Sequence, residues 1–188
     1  MRFNSVIGVD TIISGDTPFG IPTNVMDSVK NPFKVYGKEN ADHNVKVYYL
    51  EKNKRQTAYI SKHDIKKNSH DINKYKVFLP KASGTGNDSY VLGNPILAPT
   101  NSVCSQTFVY AAFTNEKEAI NFISYIKTKF VRILIASVKL TQDCLSGVFR
   151  FVPLQDFSKP WTDEELYKKY GLTEEEIAFI ESMIKSME

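Results

Sequence analysis

The chain has 188 residues, 42% of them hydrophobic and 24% charged, and its formal net charge is +3 at pH 7. That length predicts a globular domain large enough to bury its own core. A membrane span is not expected, because Lys127, Lys129 and Arg132 interrupt the most apolar stretch. The N-terminal residues lack the cationic and apolar regions of a secretion signal. The two isolated cysteines, Cys104 and Cys144, therefore predict reduced thiols in a cytoplasmic protein.

The charges are unevenly distributed along the chain. Residues 30–81 contain thirteen lysines and arginines against five acidic residues, whereas residues 159–188 contain eight acidic residues against four lysines. A basic region joined to an acidic tail favours an anionic partner such as nucleic acid. Ordinary solvated surfaces have the same composition, so the charge distribution alone does not identify a partner.

The first 45 residues contain clusters of Gly, Pro, Asn and Asp, which predict an irregular segment with short strands. Phe19, Phe33 and Tyr36 are expected to pack it against the domain. The run Val45–Leu50 is rich in strand-forming residues and predicts a hairpin with Thr57–Ile60 across a basic turn.

The middle of the chain predicts further strands and a polar loop. Ser61 and Asp64 predict the start of a short helix ending near Lys74, followed by a strand over Tyr75–Leu79. The small polar residues 82–88 predict a loop, with short strands at 90–92 and 96–98. The alternating residues 103–113 predict one half-buried strand.

A long helix from Glu116 to Ser137 is the most strongly patterned element, and Asn115 with Glu118 can cap its start. A polar turn over 139–143 follows, and then a strand ending at residues 149–153. Apolar residues at helical spacing form one stripe, which is expected to be core: Ala119, Phe122, Ile123, Ile126, Phe130, Ile133 and Leu134.

Two capping boxes predict a pair of helices in the last thirty residues. Thr162 pairs with Glu165, and Thr173 pairs with Glu176, with Gly171 ending the first helix. The predicted fold class is therefore α/β (α+β), a mixed or antiparallel sheet packed on a long central helix with a two-helix C-terminal tail. Residues 1–158 are expected to form the domain and residues 159–188 the tail.

The sequence contains none of the following catalytic motifs. His43, His63 and His70 have no partners at metal-ligand spacing, and residues 84–86 lack the Lys-Ser/Thr ending of a phosphate-binding loop. We find no glycine-rich turn for a dinucleotide or S-adenosylmethionine, and no Asn/Asp-Pro-Pro-aromatic motif that grips a flipped adenine. Asp64 and Lys66 superficially fit a nuclease pattern, but a helix start explains them better. The chain by itself is expected to be non-catalytic, with no metal and no cofactor of its own.

Several segments, taken in order, form a further pattern: residues 71–82, 105–107, 121–130, 141–143, 151–162 and 162–177. Together they resemble the C-terminal target-recognition region of bacterial adenine-specific DNA methyltransferases and fused type II restriction–modification enzymes. The resemblance covers residues 60–188 well and residues 14–60 loosely. The helix, the Thr-Gln pair and the strand ending in proline are also similar, more faintly, to type I restriction specificity subunits.

The resemblance implies sequence-specific binding of double-stranded DNA, so that a catalytic domain can methylate the exocyclic amine of an adenine. That methyltransferase domain would be a partner in cis or in trans, and S-adenosylmethionine would be its cofactor. Because the domain is absent from the chain, we expect a fragment of a larger enzyme or an independent reading frame.

On this hypothesis two sets of residues contact DNA. Asn87 and Gln142 have amides that can pair with adenine, and Arg150 can read guanine. The base-contact candidates are Lys81, Ser83, Thr85, Asn87, Lys139, Thr141, Gln142 and Arg150. The phosphate-contact candidates, which position the duplex without reading it, are Lys52, Lys54, Arg55, Lys62, Lys66, Lys67 and Lys74.

Plain alternatives stand beside these roles. Each lysine is also explained by solvation, and Gln142 by a contact at a helix C-terminus. The aromatic residues are expected to be core rather than stacking platforms, namely Phe108, Tyr110, Phe149, Phe151 and Trp161. As an alternative function, the tail could dock a methyltransferase domain or a second copy, with DNA contact incidental.

Overall fold

The structure is a computed structural model that describes residues 7–52, 54–82, 90–139, 141 and 143–187. It has strands β1 (Val35–Tyr36), β2 (Val45–Glu51), β3 (Lys54–Ile60), β4 (Tyr75–Pro80), β5 (Ile96–Ala98), β6 (Ser102–Cys104) and β7 (Phe108–Phe113). Its α-helices are α1 (Glu116–Lys127), α2 (Lys129–Ala136), α3 (Asp163–Tyr170) and α4 (Glu174–Met183). Short 3-10 helices lie at Val9–Ile12, Lys62–Asp64, Ser69–Asp71 and Ser146–Phe149.

The strands form two sheets. The four-stranded sheet has the order β1-β3-β2-β6, in which only the β2–β6 pair is parallel, and the three-stranded sheet has the antiparallel order β5-β4-β7. The predicted hairpin is confirmed, with Val45 opposite Ile60 and Glu51 opposite Lys54. The mixed α/β class with two C-terminal helices is likewise confirmed.

The three-stranded sheet is covered on both faces, because side chains of successive strand residues point to opposite sides. From β4, Val77 and Leu79 enter the core formed with the α-helices, which we call the helix-side core. Phe78, between them, enters the core formed with the four-stranded sheet, the sheet-side core. β7 divides its residues in the same way, so it is buried on both faces rather than half-buried as predicted.

The prediction of one strand over 103–113 is wrong, because the chain turns a corner at Ser105–Thr107 and moves from one sheet to the other. At the corner the Ser105 hydroxyl accepts a hydrogen bond from the Thr107 amide (3.3 Å) and contacts the Thr107 hydroxyl (2.7 Å). Such local side-chain bonds compete with the regular ladder. Two short strands result, β6 and β7.

The single long helix is also wrong, because the chain is extended at Thr128, with φ −61° and ψ 149°. Thr128 is the N-cap of α2, and its hydroxyl accepts a hydrogen bond from the Val131 amide (3.2 Å). The Asp163 carboxylate accepts two more, from the amides of Lys129 (3.0 Å) and Phe130 (2.8 Å). The apolar stripe is nevertheless placed as predicted, since all seven of its members lie in or against the helix-side core.

Three further local predictions need correction. The strand predicted to end at residues 149–153 is replaced by the 3-10 helix at Ser146–Phe149, and residues 90–92 form a turn rather than a strand. The helix predicted after Ser61 is two separate 3-10 turns. In each case the backbone bonds nearby residues or a distant segment and does not form the regular bonds of the predicted strand or helix. For example, the Val9 amide bonds the Val152 carbonyl (2.8 Å).

Most aromatic predictions are confirmed. Phe108, Tyr110, Phe149 and Trp161 are buried, as is Phe19 in the N-terminal segment, whereas Phe33 is half-buried. Two are wrong: Phe151 and Tyr36 are 48% and 43% exposed. Both exposed rings contact a polar neighbour, with the Arg150 guanidinium 4.7 Å from the Phe151 ring centre and His43 4.3 Å from Tyr36.

The C-terminal tail packs into the helix-side core. Both predicted capping boxes are present, at Thr162 and at Thr173, and Gly171 ends α3 with φ 63°. Trp161, Leu166, Tyr167, Ile180 and Ile184 all belong to that core. The tail therefore completes the cover over α1 and α2.

Lys76 is a fully buried cation at the edge of the sheet-side core. Its ammonium group donates to the carbonyls of Asp71 (2.8 Å), Ile72 (3.1 Å) and Lys74. Burial lowers the pKa of Lys76 to about 8, although the nearby Asp71 carboxylate opposes this. Burial raises the pKa of Asp71 itself, but bonds from Lys74 and Tyr110 outweigh it, and the net pKa lies below the ordinary value.

We predict that Gly8→Ala destabilises the fold by about 1–3 kcal/mol, because overpacking at a closed site forces the backbone apart. A methyl group at Gly8 would lie 2.5 Å from the Arg150 carbonyl oxygen and against the Asp10 carboxylate. Gly15→Ala is the matched control, since nothing lies within 4 Å of its added methyl group. Urea unfolding of both variants measures the difference, and equal midpoints would contradict the prediction.

We also predict that Lys76 makes the stability rise with pH above about 8. An unfolded lysine titrates near 10.4, so the unfolded chain binds more protons than the folded chain between those two values. The cost of burying the ammonium group is therefore present below pH 8 and disappears towards the unfolded pKa. The rise in urea midpoint between pH 7 and pH 10 should be smaller for Lys76→Met than for the unsubstituted chain. The same pH response in both proteins would refute the assignment.

Candidate nucleic-acid interface

Two segments that the sequence assigns to DNA lie side by side. Ala82 forms an isolated antiparallel bridge with Asp143, and the Cys144 amide donates to the Lys81 carbonyl (2.6 Å). We call this the loop–turn contact. It places the residues that follow β4 against residues of the turn that follows α2. Four of the predicted base-contact residues lie outside the described residues: Ser83, Thr85, Asn87 and Gln142.

The turn after α2 also binds the stretch just before β5. The Lys139 ammonium group donates to the Val91 carbonyl (2.7 Å). Val91 has φ +66°, an unfavourable conformation for a β-branched residue, and strain of this kind persists where the surroundings hold it. The described residues after α2 therefore contact the chain at two places: Asp143 and Cys144 contact Lys81–Ala82, and Lys139 contacts Val91.

Arg132 is the second cation that holds this stretch. Its side chain is 1% exposed, and its guanidinium donates to the carbonyls of Lys127 (3.0 Å), Lys185 (2.6 Å) and Tyr90 (3.4 Å). Burial lowers the pKa of Arg132, with the Asp163 carboxylate acting in the opposite direction. Sequence reasoning missed this residue, because a charged side chain beside a helical stripe is ordinarily solvent-exposed.

Lys81 and Lys67 converge on the N-terminal segment. The Lys81 ammonium group donates to the Asp16 carbonyl, and the Lys67 ammonium group donates to the Thr17 hydroxyl (2.6 Å). One residue was predicted to contact bases and the other to contact phosphate. The fold brings their charges to adjacent residues of one segment, with Lys67 exposed and Lys81 half-buried.

The tip of the β2–β3 hairpin carries a second group of charges. Lys52, Lys54 and Arg55 are exposed there, and Lys52 has φ 48°, which suits a tight hairpin turn. The Arg55 guanidinium donates to the Asn94 carbonyl (2.6 Å). The hairpin tip is thereby joined to the same stretch, residues 90–95, that Lys139 contacts.

The phosphate-contact candidates do not form one continuous patch. β3 has seven residues, which separates the hairpin tip from Lys62 by about 20 Å at 3.3 Å per residue. Lys62 and Lys66 are exposed, and the Lys66 ammonium group donates to the His63 carbonyl (2.6 Å). Lys74 forms an ion pair with Asp71 (2.7 Å), so its charge is already paired within the chain.

Thr141 and Arg150 differ in their relation to the loop–turn contact. Thr141 is exposed beside it, and its hydroxyl accepts from the amide of Asp143, an exposed carboxylate. Arg150 is exposed six residues after Cys144. Four of the intervening residues form a 3-10 helix, which rises about 2 Å per residue, so Arg150 lies within roughly 15 Å. The fold brings Arg150 near the contact without joining it.

The thiols near these residues are not poised for nucleophilic chemistry. Burial raises the pKa of Cys144 to about 12 and that of Cys104 well above its usual value. In the part of the chain that the structure describes, we find no group of three His, Cys, Asp or Glu side chains that could hold a metal ion. What the described side chains offer is exposed cations and hydrogen-bonding groups.

Comparisons of the chain with protein-family models, curated proteins and solved structures found no match. The family resemblance thus stays a prediction from the residues. None of the helices within the described ranges has the length and apolarity needed to cross a bilayer.

We predict that Arg132→Lys loosens the stretch at residues 90–92, because lysine cannot reproduce the planar fork that reaches several carbonyls. Amide hydrogen exchange should speed up at Leu92, whose amide bonds the same Tyr90 carbonyl as Arg132. It should also speed up at Ile184, the residue before Lys185, whose carbonyl Arg132 bonds. Exchange in the β4–β7 ladder serves as the internal control and should stay slow. Unchanged exchange at Leu92 would show that Arg132 does not hold this stretch.

Proposed function

We propose that this chain is a double-stranded DNA target-recognition domain of an adenine-specific DNA methyltransferase or restriction–modification enzyme. The observation that supports the proposal best is the loop–turn contact between Lys81–Ala82 and Asp143–Cys144. Two segments remote in sequence, each chosen for its DNA-reading side chains, meet at one place. Two exposed cations are linked to it through other segments. Arg55 bonds Asn94 in the stretch that Lys139 contacts, and Lys67 bonds Thr17, next to the Asp16 that Lys81 contacts.

The proposed roles follow from exposure and internal bonding. Exposed lysines at the hairpin tip, Lys52 and Lys54, contact phosphates and fix the register of the duplex. Thr141 and Arg150 remain exposed for base edges, and Arg150 has the planar fork that suits guanine. Lys74 and Lys139 bond internal groups and act as positioning residues instead.

Asp143 adds a role that sequence reasoning did not include. Its carboxylate is exposed at the loop–turn contact, where it disfavours phosphate and accepts a hydrogen bond from the cytosine amine. The chain in this proposal binds and orients the duplex. Methyl transfer from S-adenosylmethionine belongs to a catalytic domain supplied in cis or in trans.

We predict that the chain binds duplex DNA with an affinity that falls steeply with salt, because each neutralised phosphate contributes about −0.9 to the log–log slope. The double variant Lys52→Asn/Lys54→Gln should reduce that slope by roughly 2. Fluorescence anisotropy of a labelled random-sequence duplex between about 50 and 200 mM salt measures both slopes.

The control is Lys117→Gln/Lys168→Gln, which removes two exposed lysines of α1 and α3. An affinity that does not respond to salt, or an equal loss of slope in both double variants, would count against the proposal.

Base reading is tested by selecting bound duplexes from a random pool. Arg150→Lys keeps the charge but loses the fork, so it should relax the selected sequence at one position while leaving the salt slope unchanged.

A further inference from the structure

An apolar groove lies between α2 and α4, and none of the residues proposed for DNA lines it. It has a volume of about 350 Å³. Its apolar lining consists of Phe130, Ile133, Leu134, Leu172, Phe179 and Ile180. Phe179 is 57% exposed, and Met183, one turn further along α4, is 52% exposed. Contiguous exposed apolar side chains mark interaction surfaces, whereas apolar residues exposed singly are ordinary on protein surfaces.

The walls of the groove are held in place. Phe130 is 1% exposed and stacks on Tyr170, with ring centres 5.0 Å apart. α4 is fixed to the body by Glu181, whose carboxylate accepts from the Tyr167 hydroxyl (2.9 Å) and pairs with Lys129. The groove thus exists before any partner arrives, and binding need not pay for ordering it.

The rim of the groove is acidic. Glu175 and Glu176 line it, Glu174 precedes them in the first turn of α4, and the α4 sequence contains no lysine or arginine. Glu176 is partly engaged, since its carboxylate accepts from the Thr173 amide (2.9 Å). This charge disfavours DNA, and it selects a partner with positive charge beside its apolar anchors.

The same charge argues against a symmetric dimer through this face. A two-fold interface brings the same patch of both copies together. Neither α4 nor the groove lining contains a lysine or arginine that could face the Glu174–Glu176 rim of a second copy. A second copy of the chain is therefore a poor occupant of the groove.

We propose that the groove binds an amphipathic helix of a partner protein, with bulky apolar anchors at helical spacing and Lys or Arg at its flank. Grooves between two helices take such helices through anchors at i, i+3 or i+4, and i+7. α4 has ten residues, so its length of about 15 Å matches some three turns of a partner helix. The inference is independent of the DNA-binding proposal.

The experiment uses the full chain as bait against a displayed library of helical peptides with fixed apolar anchors and randomised flanks. Enrichment of Lys and Arg in the flanks is expected. The enriched peptides, made synthetically, should bind at least tenfold more weakly to Phe179→Ser and to Glu175→Lys. Phe151→Ser is the matched control, because Phe151 is a comparably exposed phenylalanine outside the groove lining.

Several results would overturn the proposal: no enrichment, enrichment without basic flanks, or equal binding to Phe179→Ser and Phe151→Ser. Dimerisation of the unsubstituted chain that Phe179→Ser abolishes would also overturn it, in favour of a second copy. A urea midpoint equal to that of the unsubstituted chain establishes that each variant is folded. If Phe179→Ser does not fold, Glu175→Lys decides the question, because it changes only exposed charge. Competition with duplex DNA separates the two proposals, since DNA should not displace the peptide.

Discussion

The burial of β4 on both faces is the constraint on which the rest of the fold depends. Val77 and Leu79 point towards the helices, and Phe78 points towards the four-stranded sheet. Each large side chain taken out of water contributes about 1.5–3 kcal/mol, so leaving either face uncovered would be costly. The helices, the tail and the second sheet are the layers that cover it. Its two ends, Tyr75 and Pro80, are therefore held in fixed positions.

The acidic tail is joined to the body by bonds as well as by apolar packing. Asp163 supplies its carboxylate to two backbone amides at the start of α2, and Arg132 bonds the Lys185 carbonyl near the C-terminus. Free amides at a helix start cost stability when they are buried without partners. The tail is consequently part of what makes α2 a helix, and the groove beside α4 depends on the same attachment.

Features set by neighbouring residues were predictable, and those set by distant partners were not. The capping boxes at Thr162 and Thr173 need only a residue three positions on, and both are present. The break at Thr128 depends partly on Asp163, whose bond to Lys129 spans 34 residues. At the candidate interface the loop and the turn could be chosen by composition, but Lys139 bonds a carbonyl 48 residues away. The sequence therefore could not show that Lys139 bonds inside the protein.

Each of the two cores contains one cysteine, whose reaction with a thiol reagent can report on that core. Cys104 belongs to the sheet-side core and Cys144 to the helix-side core, and both are fully buried. Burial also raises the pKa of each thiol, so a thiol reagent reacts only when the surrounding core opens. The labelling rate at each cysteine then measures the opening free energy of one core. Equal rates would mean that the layers on the two faces of β4 open as one cooperative unit, and unequal rates would show which face opens first.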